Sequence, residues 1–84
     1  MLGVVRTTLS DILGHRRDDI QPQSRPSELG AESFDFLQIV LTLEHVFDVV
    51  LPHAFALPAP FTVKELADAV GVAIKAKDFE RSRP

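Results

Sequence analysis

Glu28-Leu29-Gly30-Ala31-Glu32-Ser33-Phe34-Asp35-Phe36-Leu37 is the stretch on which the reading of this chain turns. Its first half is loop, where Gly30 permits a backbone turn that other residues resist. Its second half opens a helix, with Ser33 at the start. Taking about 100° of rotation per residue, Phe36, Ile39, Val40, Leu43, Phe47, Val50 and Leu51 share one broad face, which must be core. The helix is expected over residues 33–51, with Pro52 as its stop. Phe34, Gln38, Leu41, His45 and Asp48 fall on the opposite side, with Glu44 at one edge and Asp35 toward the other. Single exposed apolar residues are normal. Phe34 and Leu41 together, beside Ser33, point to a contact surface.

Working outward, residues 2–14 read as a first helix. Leu2, Val5, Leu9, Ile12 and Leu13 form its apolar face, and Gly14 sits where a left-handed cap belongs. His15, Arg16 and Arg17 then suit the negative helix end. Residues 15–32 form a long connection, in which Ile20 and Leu29 are isolated apolar residues expected to anchor in the core. Beyond Pro52, residues 52–61 are broken by Pro58 and Pro60. One turn around His53–Leu57 is expected there, with Phe55, Leu57 and Phe61 lidding the bundle. A last helix is expected over 62–76. Thr62 and Glu65 make a capping box, Phe61 and Leu66 a hydrophobic staple, and Val63, Leu66, Val70, Ala73 and Ile74 a buried stripe. The domain is therefore set at 1–76, with 77–84 read as a flexible tail in which Phe79 packs back. The fold class is all-α: a small three- to four-helix bundle with a long first loop.

The totals narrow the function. A chain of 84 residues makes one domain, and a domain of this size hides only about 60–65% of the surface its unfolded chain exposes. That leaves little room for a deep active site. The absence of Cys removes disulfides and thiolate metal sites. No apolar run is long enough to span a membrane, and no signal segment leads the chain, so a cytoplasmic location is expected. Between Pro26 and Val63 there is no Lys or Arg, while Glu28, Glu32, Asp35, Glu44 and Asp48 lie in that span. Such a field attracts basic protein surfaces and repels nucleic acid; an ordinary solvated acidic helix face is the alternative, and charge alone does not choose between them.

A serine at a helix start is ordinarily a cap. Here it lies in Leu29-Gly30-Ala31-Glu32-Ser33-Phe34-Asp35, followed by a helix ending Val46-Phe47-Asp48-Val49-Val50-Leu51-Pro52. This pattern resembles the acyl carrier proteins, whose motif reads Leu-Gly-any-Asp-Ser-Leu. The resemblance runs from about Ile12 to Val70, taking in Gly14, Ile20, Phe47, Pro52 and Thr62-Val63. It implies that Ser33 bears a 4′-phosphopantetheine arm delivered from coenzyme A by a separate phosphopantetheinyl transferase. The arm's thiol then carries an acyl group as a thioester, so the chain needs no Cys of its own and is not itself an enzyme. Glu32 and Phe34 flank the attachment point. Asp35, Gln38, Leu41, Glu44, His45 and Asp48 are expected to face partners, which the resemblance gives as the transferase and acyl-activating or acyl-transferring enzymes. A monomer is expected, with no nucleic acid or membrane partner.

Three departures from the family pattern stand out. Glu32 replaces the Asp before the serine, and Phe34 replaces the Leu after it. Gln38, His45 and Val46 occupy positions where fatty-acid carriers have glutamates that meet basic patches on partners. Because electrostatics governs partner choice, this points to a specialised carrier, in fatty-acid, lipid or secondary-metabolite synthesis, with its own partners. A peptidyl or aminoacyl carrier of the same architecture is one alternative, although those usually show Gly-Gly-His/Asp-Ser. A helical docking module that never bears the arm is the other; it would use Ser33 only as a cap, worth about 1 kcal/mol. His15, His45 and His53 show no ligand spacing and read as surface or loop histidines, so a metal site has little support. A triad of Ser33, His45 and Asp48 fails on distance, since His45 is about 18 Å along the helix from Ser33.

Overall fold

The computed structural model describes residues 1–81. Three α-helices, α1 (Leu2–Leu13), α2 (Ser33–Phe47) and α3 (Val63–Arg81), are joined by connections that hold only short 3₁₀ turns. No strand occurs among the described residues. The core gathers Val5 and Leu9 from α1, Ile39, Val40 and Leu43 from α2, and Val63, Leu66 and Val70 from α3, with Ile20 and Leu51 from the connections. The bundle is thus all-α, as its periodicity indicates. α1 ends at Gly14, which takes the left-handed conformation (φ 76°) and returns its N–H to the Ser10 carbonyl at 3.0 Å.

The long first connection is pinned at both ends. It folds into 3₁₀ turns at Arg17–Asp19 and Pro26–Leu29. Ile20 is fully buried, as its isolation in a polar stretch predicts, while Leu29 is half-buried against the same core. The Ser10 hydroxyl donates to the His15 carbonyl (2.6 Å), and His15 Nε2 lies 2.6 Å from the Leu29 carbonyl. At the other side the loop docks on the start of α3. Val63 N–H donates to Ser24 O and Lys64 N–H to Pro22 O, each at 2.8 Å, and Arg25 Nε donates to Pro60 O, also at 2.8 Å. A long connection is tolerated in a small domain because its carbonyls serve as part of a helix cap.

α3 begins as expected. Thr62 N–H donates to Glu65 Oε1 (3.0 Å), and Glu65 N–H donates to Thr62 Oγ1 (3.1 Å). Lys64 pairs with Asp68 at 2.8 Å, and that hydrogen bond, reinforced by the Asp68 charge, raises the lysine pKa above its ordinary value. Both groups are exposed, so the pair adds little to stability. Phe61 stacks edge-on against Phe36 (centroids 5.6 Å apart) and Phe55 (4.9 Å), which lids the bundle with the 3₁₀ turn His53–Ala56.

Several expectations need correction. α2 stops at Phe47, not at Leu51. Asp48 takes the left-handed conformation (φ 54°), which Asp tolerates better than most residues. Its N–H returns to the Glu44 carbonyl. The Glu44 carboxylate then accepts the Leu51 N–H at 2.8 Å, replacing a helical bond with a side-chain one. Leu51 still reaches the core, but Val50, placed on the core face by a continued helix, is 85% exposed. Leu57 is also largely exposed. α3 continues past Ala76 to Arg81, so residues 77–81 of the expected tail are helical. Lys77 explains part of this, since its Nζ meets both Asp48 Oδ2 and Asp48 O at 2.7 Å. Phe79 does not pack back and stands exposed on that extension. Residues 82–84 of the expected tail lie outside the described residues.

Ile20→Ala should lower the unfolding free energy by about 2–5 kcal/mol, because it empties a fully buried anchor. Val50→Ala should change it by less than about 0.5 kcal/mol. Chemical denaturation followed by circular dichroism measures both, and comparable losses at the two positions would contradict the early end of α2.

Candidate functional site

The connection and α2 meet at Gly30. This glycine is left-handed (φ 90°), and its N–H returns to the Pro26 carbonyl, as does that of Ala31 at 3.0 Å. A Cβ at Gly30 would strain the backbone, and no atom lies within 4 Å of where it would sit. The turn therefore delivers the chain to the start of α2 with open space beside it.

Ser33 is not the cap of α2. The N-cap is Glu32, in extended conformation, and Ser33 is the first helical residue. Asp35 reaches back so that its Oδ2 accepts the Glu32 N–H at 2.9 Å. The Glu32 carboxylate turns toward the Asp35 N–H in a capping-box arrangement, of which the Asp35 half has full hydrogen-bond geometry. Ser33 is exposed, and its hydroxyl has no hydrogen-bond partner among the described residues. The same holds for the N–H groups of Ser33 and Phe34. α3 offers the contrast, because the N–H groups of residues 62 to 65 are all taken up by Thr62, Glu65 and the first connection.

This arrangement has a defined chemical capacity. A free hydroxyl stands at the positive end of a helix dipole, beside unpartnered N–H donors. Such a position stabilises a phosphate ester on that oxygen. Glu28, Glu32 and Asp35 flank it in sequence with negative charge, and the Arg25–Glu28 contact at 3.6 Å is solvent-exposed and neutralises little. Basic groups approaching from outside meet no Lys or Arg of this chain between residues 26 and 63.

The other side chains expected on the partner face divide. Phe34, Gln38, Leu41 and His45 are exposed on the outer side of α2 and line one shallow groove, which the structure extends to Leu37, Thr42 and Val46. Leu37 is an addition to the face expected from sequence, though the spacing 34, 37, 41 is itself a second apolar stripe on the helix. Glu44 is turned to the Leu51 N–H and Asp48 to Lys77, so both are engaged with their own chain. No group of three metal-ligating side chains forms among the described residues.

A family model described as the phosphopantetheine attachment site matches residues 3–70, and the chain belongs to that family. It is 42% identical over 41 residues to the acyl carrier protein of Chlorobium phaeobacteroides, covering 48% of this chain and 53% of that one. The acyl carrier protein of Chlorobium phaeovibrioides matches to the same extent. That of Chlorobium luteolum is 38% identical over 53 residues, covering 57% of this chain and 68% of that one. The chain thus spans about half the length of the first two relatives it matches. Membership implies a covalently attached 4′-phosphopantetheine, and a free serine hydroxyl at a helix start with open surroundings fits that group.

Because Glu32 and Asp35 hold the helix start, Ser33→Ala should leave stability within about 0.5 kcal/mol of the parent. Asp35→Ala should cost about 1 kcal/mol. Thermal melts of both variants check this, and the reverse order would make Ser33 the cap.

Proposed function

We propose that Ser33 is the attachment residue and that the chain carries acyl intermediates as thioesters on the arm. The observation that carries this reading is the free, exposed Ser33 hydroxyl at a helix start already capped by its neighbours. On a separate transferase, that hydroxyl accepts phosphopantetheine from coenzyme A. Its proton leaves, the phosphodiester forms, and the nucleotide half of coenzyme A departs. The unpartnered N–H groups of Ser33 and Phe34 and the α2 dipole then favour the new negative charge. The bound arm supplies a thiol for the acyl group; the chain itself positions the arm and presents it.

In this role the chain is not an enzyme, and its partners are a phosphopantetheinyl transferase and acyl-activating or acyl-transferring enzymes. Glu32 and Phe34 border the attachment oxygen. Gln38, Leu41 and His45 belong to the face those enzymes meet. The similarity to acyl carrier proteins supports an acyl cargo over a peptidyl or aminoacyl one. The replacement of glutamates by Gln38, His45 and Val46 supports a specialised pathway of fatty-acid, lipid or secondary-metabolite synthesis. A cytoplasmic monomer is part of the same reading; no helix among the described residues is long and apolar enough to cross a membrane.

Intact mass after incubation with coenzyme A, Mg²⁺ and a broad-specificity phosphopantetheinyl transferase tests this. The parent chain should gain one phosphopantetheine and Ser33→Ala none. Equal gain in both, or none in the parent with several transferases, would overturn the assignment.

A further inference from the structure

The groove on the outer face of α2 is lined mostly by apolar side chains. Phe34 is 71% exposed, Leu37 42%, Leu41 54% and Val46 55%, and all four line the groove that starts beside Ser33. From Phe34 to Val46 the stripe covers about 18 Å at the helical rise. Polar groups are scarce along it. Thr42 turns its hydroxyl back onto the Gln38 carbonyl at 2.8 Å, leaving Gln38 and His45 as the polar side chains on the groove. The two acids that sequence spacing puts near this face are held by their own chain: Glu44 on the Leu51 N–H, Asp48 on Lys77. Glu28, Glu32 and Asp35 put negative charge at the Ser33 end, while at the far end the exposed Asp48 carboxylate is paired with Lys77.

We infer that the partner proteins of this chain read α2 by apolar contact, with a complementary cationic group only at the Ser33 end. The fitting partner surface is a protein ridge of aliphatic or aromatic side chains that seats between Leu37, Leu41 and Val46. Its basic residues sit where they face Glu28, Glu32 and Asp35. Two observations carry this. The charge is segregated along the helix, and exposed apolar stripes of this kind mark interaction sites. An interface dominated by apolar burial also differs in its response to salt. Charge contacts between exposed groups are screened over a Debye length of about 8 Å at physiological ionic strength, whereas apolar burial is not weakened by salt. Partners that dock through long basic patches would find no acids along the middle of this helix.

The inference rests on Ser33 being the attachment residue, which makes a phosphopantetheinyl transferase the usable probe. The rate of arm transfer from coenzyme A would be measured for the parent, Leu41→Ser and Leu41→Glu, each at low and high NaCl. Leu41 is largely exposed, so both variants should keep the parent's circular dichroism and melting temperature. Leu41→Ser should lower kcat/KM about tenfold through KM, as expected when an apolar side chain near the centre of an interface is truncated. The parent-to-variant ratio should be the same at both salt concentrations, which cancels any salt effect on the transferase itself. Leu41→Glu, which adds an acid to the middle of the helix, should be slower still. Leu41→Glu equal to or faster than the parent at low salt, or Leu41→Ser matching the parent, would overturn the inference while the attachment reading stands. No modification of the parent chain would remove both.

Discussion

The hold of Asp35 on the Glu32 N–H, one turn back, is the contact on which the site depends. It closes the start of α2 without using Ser33. A helix beginning with serine usually needs that hydroxyl for its own backbone. Here the need is met one residue earlier, and the left-handed Gly30 sets the chain's approach so that Glu32 arrives extended. The hydroxyl and the first two helical N–H groups are left without a partner among the described residues. The same physical demand is solved in opposite ways at the two later helices. The start of α3 docks on the first connection, and its first-turn donors are all satisfied within the chain. α2 keeps donors free where a phosphate ester would use them.

The far end of α2 is built with the same economy of side chains. Glu44 holds the Leu51 N–H, which lets the helix stop at Phe47 while Leu51 still enters the core. Asp48 turns the chain left-handed and meets Lys77 on the extended part of α3. This contact fixes the end of α2 to the flank of α3. Both acids thereby bond to their own chain, and the groove between Leu37 and Val46 is lined mostly by apolar side chains without an acid. One set of local bonds therefore shapes both the fold and the surface beside Ser33.

Much of this is legible in the sequence because it follows from periodicity and local capping. The three helices, the Gly14 and Gly30 turns, the Ile20 anchor and the Thr62–Glu65 box all rest on patterns within a few residues of each other. What sequence does not reveal depends on contacts between distant residues. Val50 fits the core face of an uninterrupted helix; only the Glu44–Leu51 bond and the Asp48–Lys77 pair, neither visible in spacing alone, take it out. The reach of α3 to Arg81 likewise draws on a partner 29 residues earlier. At the site, Ser33 is recognisable by its setting, but its freedom from capping is not. Glu32 and Ser33 are adjacent possible caps, and the choice between them depends on how Gly30 delivers the backbone. Leu37 is obscured for a different reason: a helix apolar on two sides draws attention to the side that closes the core.

The decisive measurement is localisation of the arm by proteolysis and fragment mass spectrometry after transfer from coenzyme A. The peptides spanning the first connection and α2 contain several competing hydroxyls, including Ser24, Ser27 and Thr42. Capping by Glu32 and Asp35 leaves Ser33 as the free hydroxyl at a helix start, so the group should be found on Ser33 alone. Its appearance on Ser24, Ser27 or Thr42, with Ser33 unmodified, would contradict the site described above.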